Sequence, residues 1–502
     1  MRSRVSAAAF ALALTAPAVS AQTLAPVSDN RPPQAGAFVP PAAPVAPQAA
    51  SPEMPAAAPA TPQSEAAPAP KKKKVAKAPP PKERGVLSDD PMPSFTPETA
   101  RLTMEAAQRY RAIAERGGWP QLPAGTRLSM GAKGANVALL RERLLAEGDL
   151  DRAGEGTTFD KSMLEAVKRY QLRNGLARTG VVAGATLTAL NIPADVRARQ
   201  LEQSALRLSD RNFAFGPRYV VVNIPSASVE AIENGTIKRR YVAVVGKPEN
   251  ASPIVEAKIG TVNLNPTWTL PTSIIKNEII PKMRKDPGYV SRANIRILDR
   301  SGNVVPTGAI DWNTNNAVNY TLRQDSGVKN ALGQIRIDMP NRDSVYMHDT
   351  PSKRFFAAQD RFYSHGCVRV QDVRGFAAWL LEETPGGWDK PAIDAAIAIG
   401  ERRDVRLAKS VPVAWVYLTG YVSDDGKVHF RDDVYNLDSG QAAQVAAAKR
   451  QMRQAAREAQ RVSEATGSVP ATAPLPASGG AAPAQMIDPP VGENARRGWL
   501  WW

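Results

Sequence analysis

Residues 22 to about 95 carry 18 of the 43 prolines in the chain, set among many alanines. No other feature limits the fold as much. Proline removes a backbone donor, and a Pro/Ala-rich stretch lacks the apolar bulk to offset its ordering entropy. The stretch 22–95 therefore reads as an extended, disordered, partly polyproline linker. Residues 438–502 are again Ala-rich. A helix is expected over 441–465 and disorder elsewhere, with Trp499, Trp501 and Trp502 at the end. The folded part must lie between these tails, and a 502-residue chain has room there for more than one domain.

Residues 1–21 predict export. Arg2 and Arg4 form a basic start, 5–18 are small and apolar, and Val19-Ser20-Ala21 offers a cleavage site before Gln22. The apolar run is too short to span a bilayer as a mature helix. The formal charge of +16 falls to +14 when Arg2 and Arg4 are removed. Much of the local excess sits in Lys71-Lys72-Lys73-Lys74. A solvated basic linker accounts for the run as well as contact with a membrane or an anionic wall polymer does. The terminal tryptophans are candidates for the same kind of contact. Export argues against nucleic acid.

Two globular segments follow from periodicity. In 126–192, Val137, Leu140 and Leu144 share one helix face. A second helix is expected over 159–174, with Met163, Val167 and Tyr170 inward and Gly175 as its stop. A third is expected over 185–190, making a small all-α bundle. Helices at 97–116 and 194–209, within flanking stretches 96–125 and 193–216, should pack beside it. Segment 217–437 is richer in strand signals: 219–224, then 229–232 and 237–245 around Asn234-Gly235, then 254–264, 334–338 and 344–347. A late hairpin of 411–422 with 427–431 closes the segment. Helices are expected at 272–285, 373–383 and 390–398. The whole reads as α+β, with a mainly-β larger domain.

The chemistry concentrates in one place. The chain has one cysteine and three histidines, and two of the histidines lie within 20 residues of Cys367. A lone cysteine in an exported chain points to a reactive thiol or an intermolecular pairing. In Tyr346-Met347-His348-Asp349-Thr350 and Ser364-His365-Gly366-Cys367-Val368-Arg369, an imidazole can take the thiol proton, stabilise the thiolate as an ion pair, and return the proton to a leaving amine. The N–H groups of Gly366 and Cys367 are candidates for an oxyanion hole. Three alternatives compete. A metal site from His348, His365 and Cys367 lacks zinc-like spacing and a fourth ligand. His429 is a rival base, although its alternating context reads as a solvated strand histidine. All three motif residues could instead be structural.

The Ser364-His365-Gly366-Cys367 run, with His348 sixteen positions before the serine, resembles the L,D-transpeptidase (YkuD-type) catalytic domain. Asn263-Leu264-Asn265-Pro266-Thr267-Trp268, the 281–289 run, Asn330-Ala331-Leu332-Gly333 and the 345–351 run are similar to its larger periplasmic, YcbB-like branch. Phe159-Asp160, Val167-Lys168-Arg169-Tyr170-Gln171 and Gly180-Val181-Val182 resemble a type 1 peptidoglycan-binding domain. The resemblance implies peptidoglycan stem tetrapeptides as substrate, D-alanine release, 3→3 cross-links and a periplasmic monomer that needs no metal or organic cofactor. It implies Cys367 as nucleophile, His348 as general base and acid, Asp349 as backbone orienter, and His365 as a shaper of the site. Arg369, Tyr346, Trp268 and Trp312 become candidate substrate contacts, and 265–330 a capping insertion. Water or a protein amine as acceptor, a cell-wall cysteine endopeptidase using His429, and a non-catalytic wall-binding protein stay open.

Overall fold

The structure, a computed structural model, describes residues 85–151 and 156–439. The expected export signal, Lys71–Lys74, the 441–465 helix and Trp499, Trp501 and Trp502 lie outside the described residues.

The larger domain begins with β1 (Arg218–Asn223), β2 (Ser228–Glu233), β3 (Thr236–Gly246) and β4 (Val255–Leu264). After an insertion holding β5 (Trp268–Thr269), β6 (Ile295–Leu298) and β7 (Thr321–Gln324), it continues with β8 (Ile335–Asp338), β9 (Met347–His348), β10 (Phe362–Ser364), β11 (Val368–Val370) and β12 (Arg403–Val416). The strands run β3-β11-β9-β8-β4-β12-β1-β2, and β2 pairs back to β3, so the sheet closes; β10 lies outside on β3. Closure leaves no free edge in that ring. The β2–β3 link is Asn234-Gly235, with φ of 49° and 78°, the left-handed pair that a two-residue hairpin needs.

Both faces of β1 are covered. Val220 and Val222 enter the main core with Val229, Ile337 and Trp415. Tyr219 and Val221 pack outward against Phe95 and Leu208. Double burial is why 219–222 reads as an unbroken apolar run rather than an alternating one.

Before the barrel in the chain, α1 (Thr99–Glu115) precedes the bundle helices α2 (Ala135–Ala146), α3 (Lys161–Arg173) and α4 (Gly184–Leu190), and α5 (Ala194–Ser209) follows them. The Asp160 carboxylate caps α3 by accepting from the Met163 N–H, and Gly175 at φ 65° ends it. Val137, Leu140, Leu144, Met163, Val167 and Tyr170 meet in the bundle core.

The insertion has its own core. α6 (Thr272–Ile274), a π turn at Ile275–Ile279 and α7 (Ile280–Lys285) form one continuous helix. With α8 (Tyr289–Arg292), this helix packs on the β5-β7-β6 sheet through Ile274, Ile279, Met283, Val290, Ile297 and Leu322. The remaining helices, α9 (Val373–Leu381) and α10 (Lys390–Ala398), supply Phe376 and Ile393 to the main core.

Four expectations need correction. Residues 85–95 are ordered: Ser94 donates twice to Glu230, the Pro91 carbonyl accepts from the Ile237 N–H, and the Gly85 carbonyl accepts from Arg361. Buried polar partners on the barrel offset the ordering entropy that proline-rich chain cannot offset alone. The expected strand 411–422 is two elements, since β12 ends at Val416 and β13 (Gly420–Val422) pairs with β14 (Val428–Phe430). The expected strand 344–347 shrinks to Met347–His348 because Ser344 sits at φ 54°, outside the extended region. His429 is 3% exposed and not solvated. It stacks on Tyr421, on the hairpin face opposite Val422 and Phe430, and Tyr421 packs with Phe95 and Tyr219.

Candidate active site

Strand register builds one polar face. Arg369 pairs with His348 across β11 and β9, and Arg336 pairs with His348 across β8 and β9. The intervening Met347, Val368 and Ile337 are fully buried in the barrel core. Side chains alternate along a strand, so Arg336, Tyr346, His348, Cys367 and Arg369 share the opposite face. The Tyr346 ring lies 5.7 Å from the His348 ring, and the Arg336 guanidinium sits 4.8 Å over Tyr346. The backbone and side chain of Tyr346 both favour the Cys367 thiolate. Trp268, from the insertion, hereafter the cap, eases ionisation of the Tyr346 hydroxyl.

His348 is buried, with its Nδ1 against the Asp349 carbonyl oxygen. A carbonyl only accepts, so Nδ1 carries the proton and Nε2 keeps a free lone pair. Asp349 is itself held. Its N–H donates to the Ile335 carbonyl, and its carboxylate accepts from the Gln334 N–H and pairs with Lys353.

Burial, reinforced by Arg369, holds the His348 imidazolium down to about 3. Burial raises the Cys367 thiol, and the Tyr346 N–H, Arg336 and Arg369 offset only part of that rise. Both shifts favour the uncharged pair. They oppose, in the free site, the ion pair that the motif predicts.

The loop bearing Cys367 is clamped through its backbone. Gly366 has φ 112°, a conformation suited to glycine. Its N–H donates to Ser364 Oγ at 3.2 Å, while that hydroxyl donates to the Cys367 carbonyl. The Gly366 N–H, expected to face an oxyanion, is thus engaged within its own loop. Ser252 Oγ donates to the Gly366 carbonyl at 2.8 Å, and the Tyr435 hydroxyl donates to the Gly246 carbonyl beside it.

The other expected residues separate. His365 Nε2 meets Glu278 Oε1 of the cap at 2.8 Å. The Arg369 Nε is buried and finds no acceptor among the described residues. Trp268 lines a cavity of about 530 Å³ under the cap, bounded also by Pro351 and Ser352. Trp312 packs at the edge of the cap core, its indole N–H donating to the Thr307 carbonyl. His429 Nε2 is engaged by Ser423 Oγ at 3.0 Å on the scaffold hairpin. Ser252, Gln334, Arg336, Lys353, Tyr435 and Glu278 escaped the sequence reading. Each comes from a segment remote from the motif or carries no local signal. Among the described residues, no group of three or more His, Cys, Asp or Glu is placed to hold a metal ion.

Comparison with known proteins bears on both folded regions. Residues 217–387 match the YkuD family, described as "L,D-transpeptidase catalytic domain". Residues 133–190 match the family described as "Putative peptidoglycan binding domain". A Haemophilus influenzae protein named "Putative L,D-transpeptidase" is 33% identical over 220 residues, which is 44% of this chain and 44% of that protein. The chain thus spans under half the length of this curated relative. An L,D-transpeptidase structure from Xylanimonas cellulosilytica is 16% identical over 59% of this chain and 98% of that one, with a TM-score of 0.18. One from Stackebrandtia nassauensis is 14% identical over 52% and 90%, with a TM-score of 0.22.

Proposed function

We propose, for a chain that carries an L,D-transpeptidase catalytic domain beside a peptidoglycan-binding domain, that it is a periplasmic peptidoglycan L,D-transpeptidase forming 3→3 cross-links through a Cys367 acyl-enzyme. The observation that carries the reading is the tautomer of His348. The Asp349 carbonyl fixes the proton on Nδ1 and leaves Nε2 as a base on the strand face that holds Cys367.

The steps follow from that geometry. The Cys367 sulfur attacks the carbonyl of the third stem residue as its proton passes to His348 Nε2. The Cys367 N–H, which has no internal acceptor among the described residues, faces the developing oxyanion. Collapse breaks the bond to the terminal D-alanine, whose amine leaves with the proton from His348. A thioester remains. The side-chain amine of a second stem then attacks it, gives its excess proton to His348, and expels the sulfur, which is reprotonated.

A resting imidazole held near 3 is a weak base. After burial, the cations Arg369, Arg336 and Lys353 hold it there. A substrate carboxylate placed among them would offset their field and raise the basicity of His348. On this reading an acidic stem peptide completes the catalytic pair, and thiol activation waits for substrate. Arg369 is the cation placed to receive that carboxylate.

Incubation with disaccharide-tetrapeptide and mass spectrometry tests the proposal. A cross-linked dimer lacking one D-alanine is expected. Tripeptide alone would reassign the enzyme as a carboxypeptidase, and activity retained by Cys367→Ala would overturn the cysteine mechanism.

A further inference from the structure

The cap reaches the nucleophile loop through a carboxylate. Glu278 lies in the π turn Ile275–Ile279, between buried Ile275 and Ile279 that face the cap core. A π turn inside a helix is uncommon and often marks a working position. Glu278 Oε1 is 2.8 Å from Nε2 of His365, two residues before Cys367, and Oε2 is 3.3 Å from Lys282 Nζ. Its field also reaches Arg369 and Tyr289. Burial disfavours the charge on Glu278, but His365 and Lys282 outweigh it and keep the group ionised. The result is a carboxylate of the protein held by His365 and Lys282 at the nucleophile loop, within the field of Arg369, whose Nε has no acceptor among the described residues.

We propose that Glu278 is a placeholder: in the free enzyme its carboxylate stands where a substrate carboxylate binds, and substrate must displace it from His365 to reach Cys367. This rests on the transpeptidase reading, because a stem tetrapeptide presents carboxylates at its terminus and on the third residue. Displacement makes carboxylate-bearing substrates the ones that open the contact between cap and loop. A neutral analogue would leave Glu278 paired.

Glu278→Gln keeps the shape and removes the charge. The KM for disaccharide-tetrapeptide should fall about 5-fold with kcat little changed, the scale of one partly exposed ion pair. A loss of kcat at constant KM would make Glu278 a positioning residue and overturn the proposal. A second measurement does not depend on the natural substrate: alkylation of Cys367 by iodoacetate against iodoacetamide. In the variant, iodoacetate alkylation should become saturable and rise several-fold over iodoacetamide, whereas the native protein should show a linear dependence. Linear kinetics in both proteins would overturn the placeholder even if cross-linking were demonstrated. Saturation without any reaction on tetrapeptide would keep the placeholder and sink the transpeptidase reading. Glu278→Ala should move both measurements the same way, and a thermal melt of each variant checks its folding.

Discussion

The bundle and the active-site face both bury charged side chains, and they treat them oppositely. In the bundle, Glu147 meets Arg143 at 2.7 Å and Arg173 at 2.8 Å, and Arg173 also grips Asp149. Tyr110 donates to Glu147, and Arg143 stacks over Trp119 at 3.7 Å. Burial pushes the Glu147 carboxyl up, but Arg173, Arg143 and Arg197 outweigh it and hold the group at about 2. Opposite charges there close on one another, although Arg143 Nη2 and Arg197 Nε find no acceptor among the described residues. On the barrel face, Arg369 and Arg336 each keep a buried Nε without an acceptor, around a histidine and a cysteine held neutral. Carboxylates that close on buried cations serve the fold, whereas cations grouped around an uncharged histidine and cysteine are set for an anionic ligand.

That contrast predicts distinct failures. Cys367→Ala should lower product formation at least ~10⁴-fold with an unchanged melting temperature, because the nucleophile is lost and the clamp of its loop is mostly backbone. Product detected at native rates by mass spectrometry would break the contrast on its chemical side. His348→Ala should cost about 10²–10⁴-fold in kcat, the usual yield of a positioned general base.

Glu147→Ala should do the reverse. It leaves Arg173 and Arg143 buried with one carboxylate fewer, at a cost of about 3–5 kcal/mol in a denaturant titration. The rate per folded molecule should hold. A rate loss at full stability would mean that the bundle charges take part in chemistry.

The two buried histidines make the sharpest small comparison. His429→Phe should cost about 1–2 kcal/mol through its lost Ser423 bond, with kcat intact. Loss of activity would favour the endopeptidase reading. The pH dependence is smaller still. Burial, helped by neighbouring arginines, lowers His348 to about 3 and His429 well below its ordinary value. The folded state thus binds these protons less readily than the unfolded state, whose histidines titrate near ~6.5. The stability these groups contribute is full above that value and is lost as pH falls from ~6.5 toward the folded pKa. The melting temperature should decline below pH ~6.5, and His429→Phe should flatten that decline.

Local features were legible in the residues themselves. The Val137, Leu140 and Leu144 stripe, the Asn234-Gly235 turn and the 390–398 helix emerge as read, because spacing alone reports which side of an element is buried. The ordered 85–95 segment was misread, since Ser94, Pro91 and Gly85 gain their partners from Glu230, Ile237 and Arg361 far along the chain. His429 departs from its local pattern for the same reason: alternation cannot announce that the face it shares with Tyr421 packs against Phe95 and Tyr219.

What the sequence by itself determined is the chemistry available: one thiol, two histidines near it, and an arginine two residues beyond. Side-chain identity sets what a group can donate, accept or attack. Tertiary structure alone decided how those groups are used. The Asp349 carbonyl chose the tautomer of His348, Ser364 claimed the Gly366 N–H, and the cap set Glu278 against His365. These are matters of bond direction and long-range contact. They are fixed by backbone torsions and by which remote segments meet, and neither is written in the spacing of a motif.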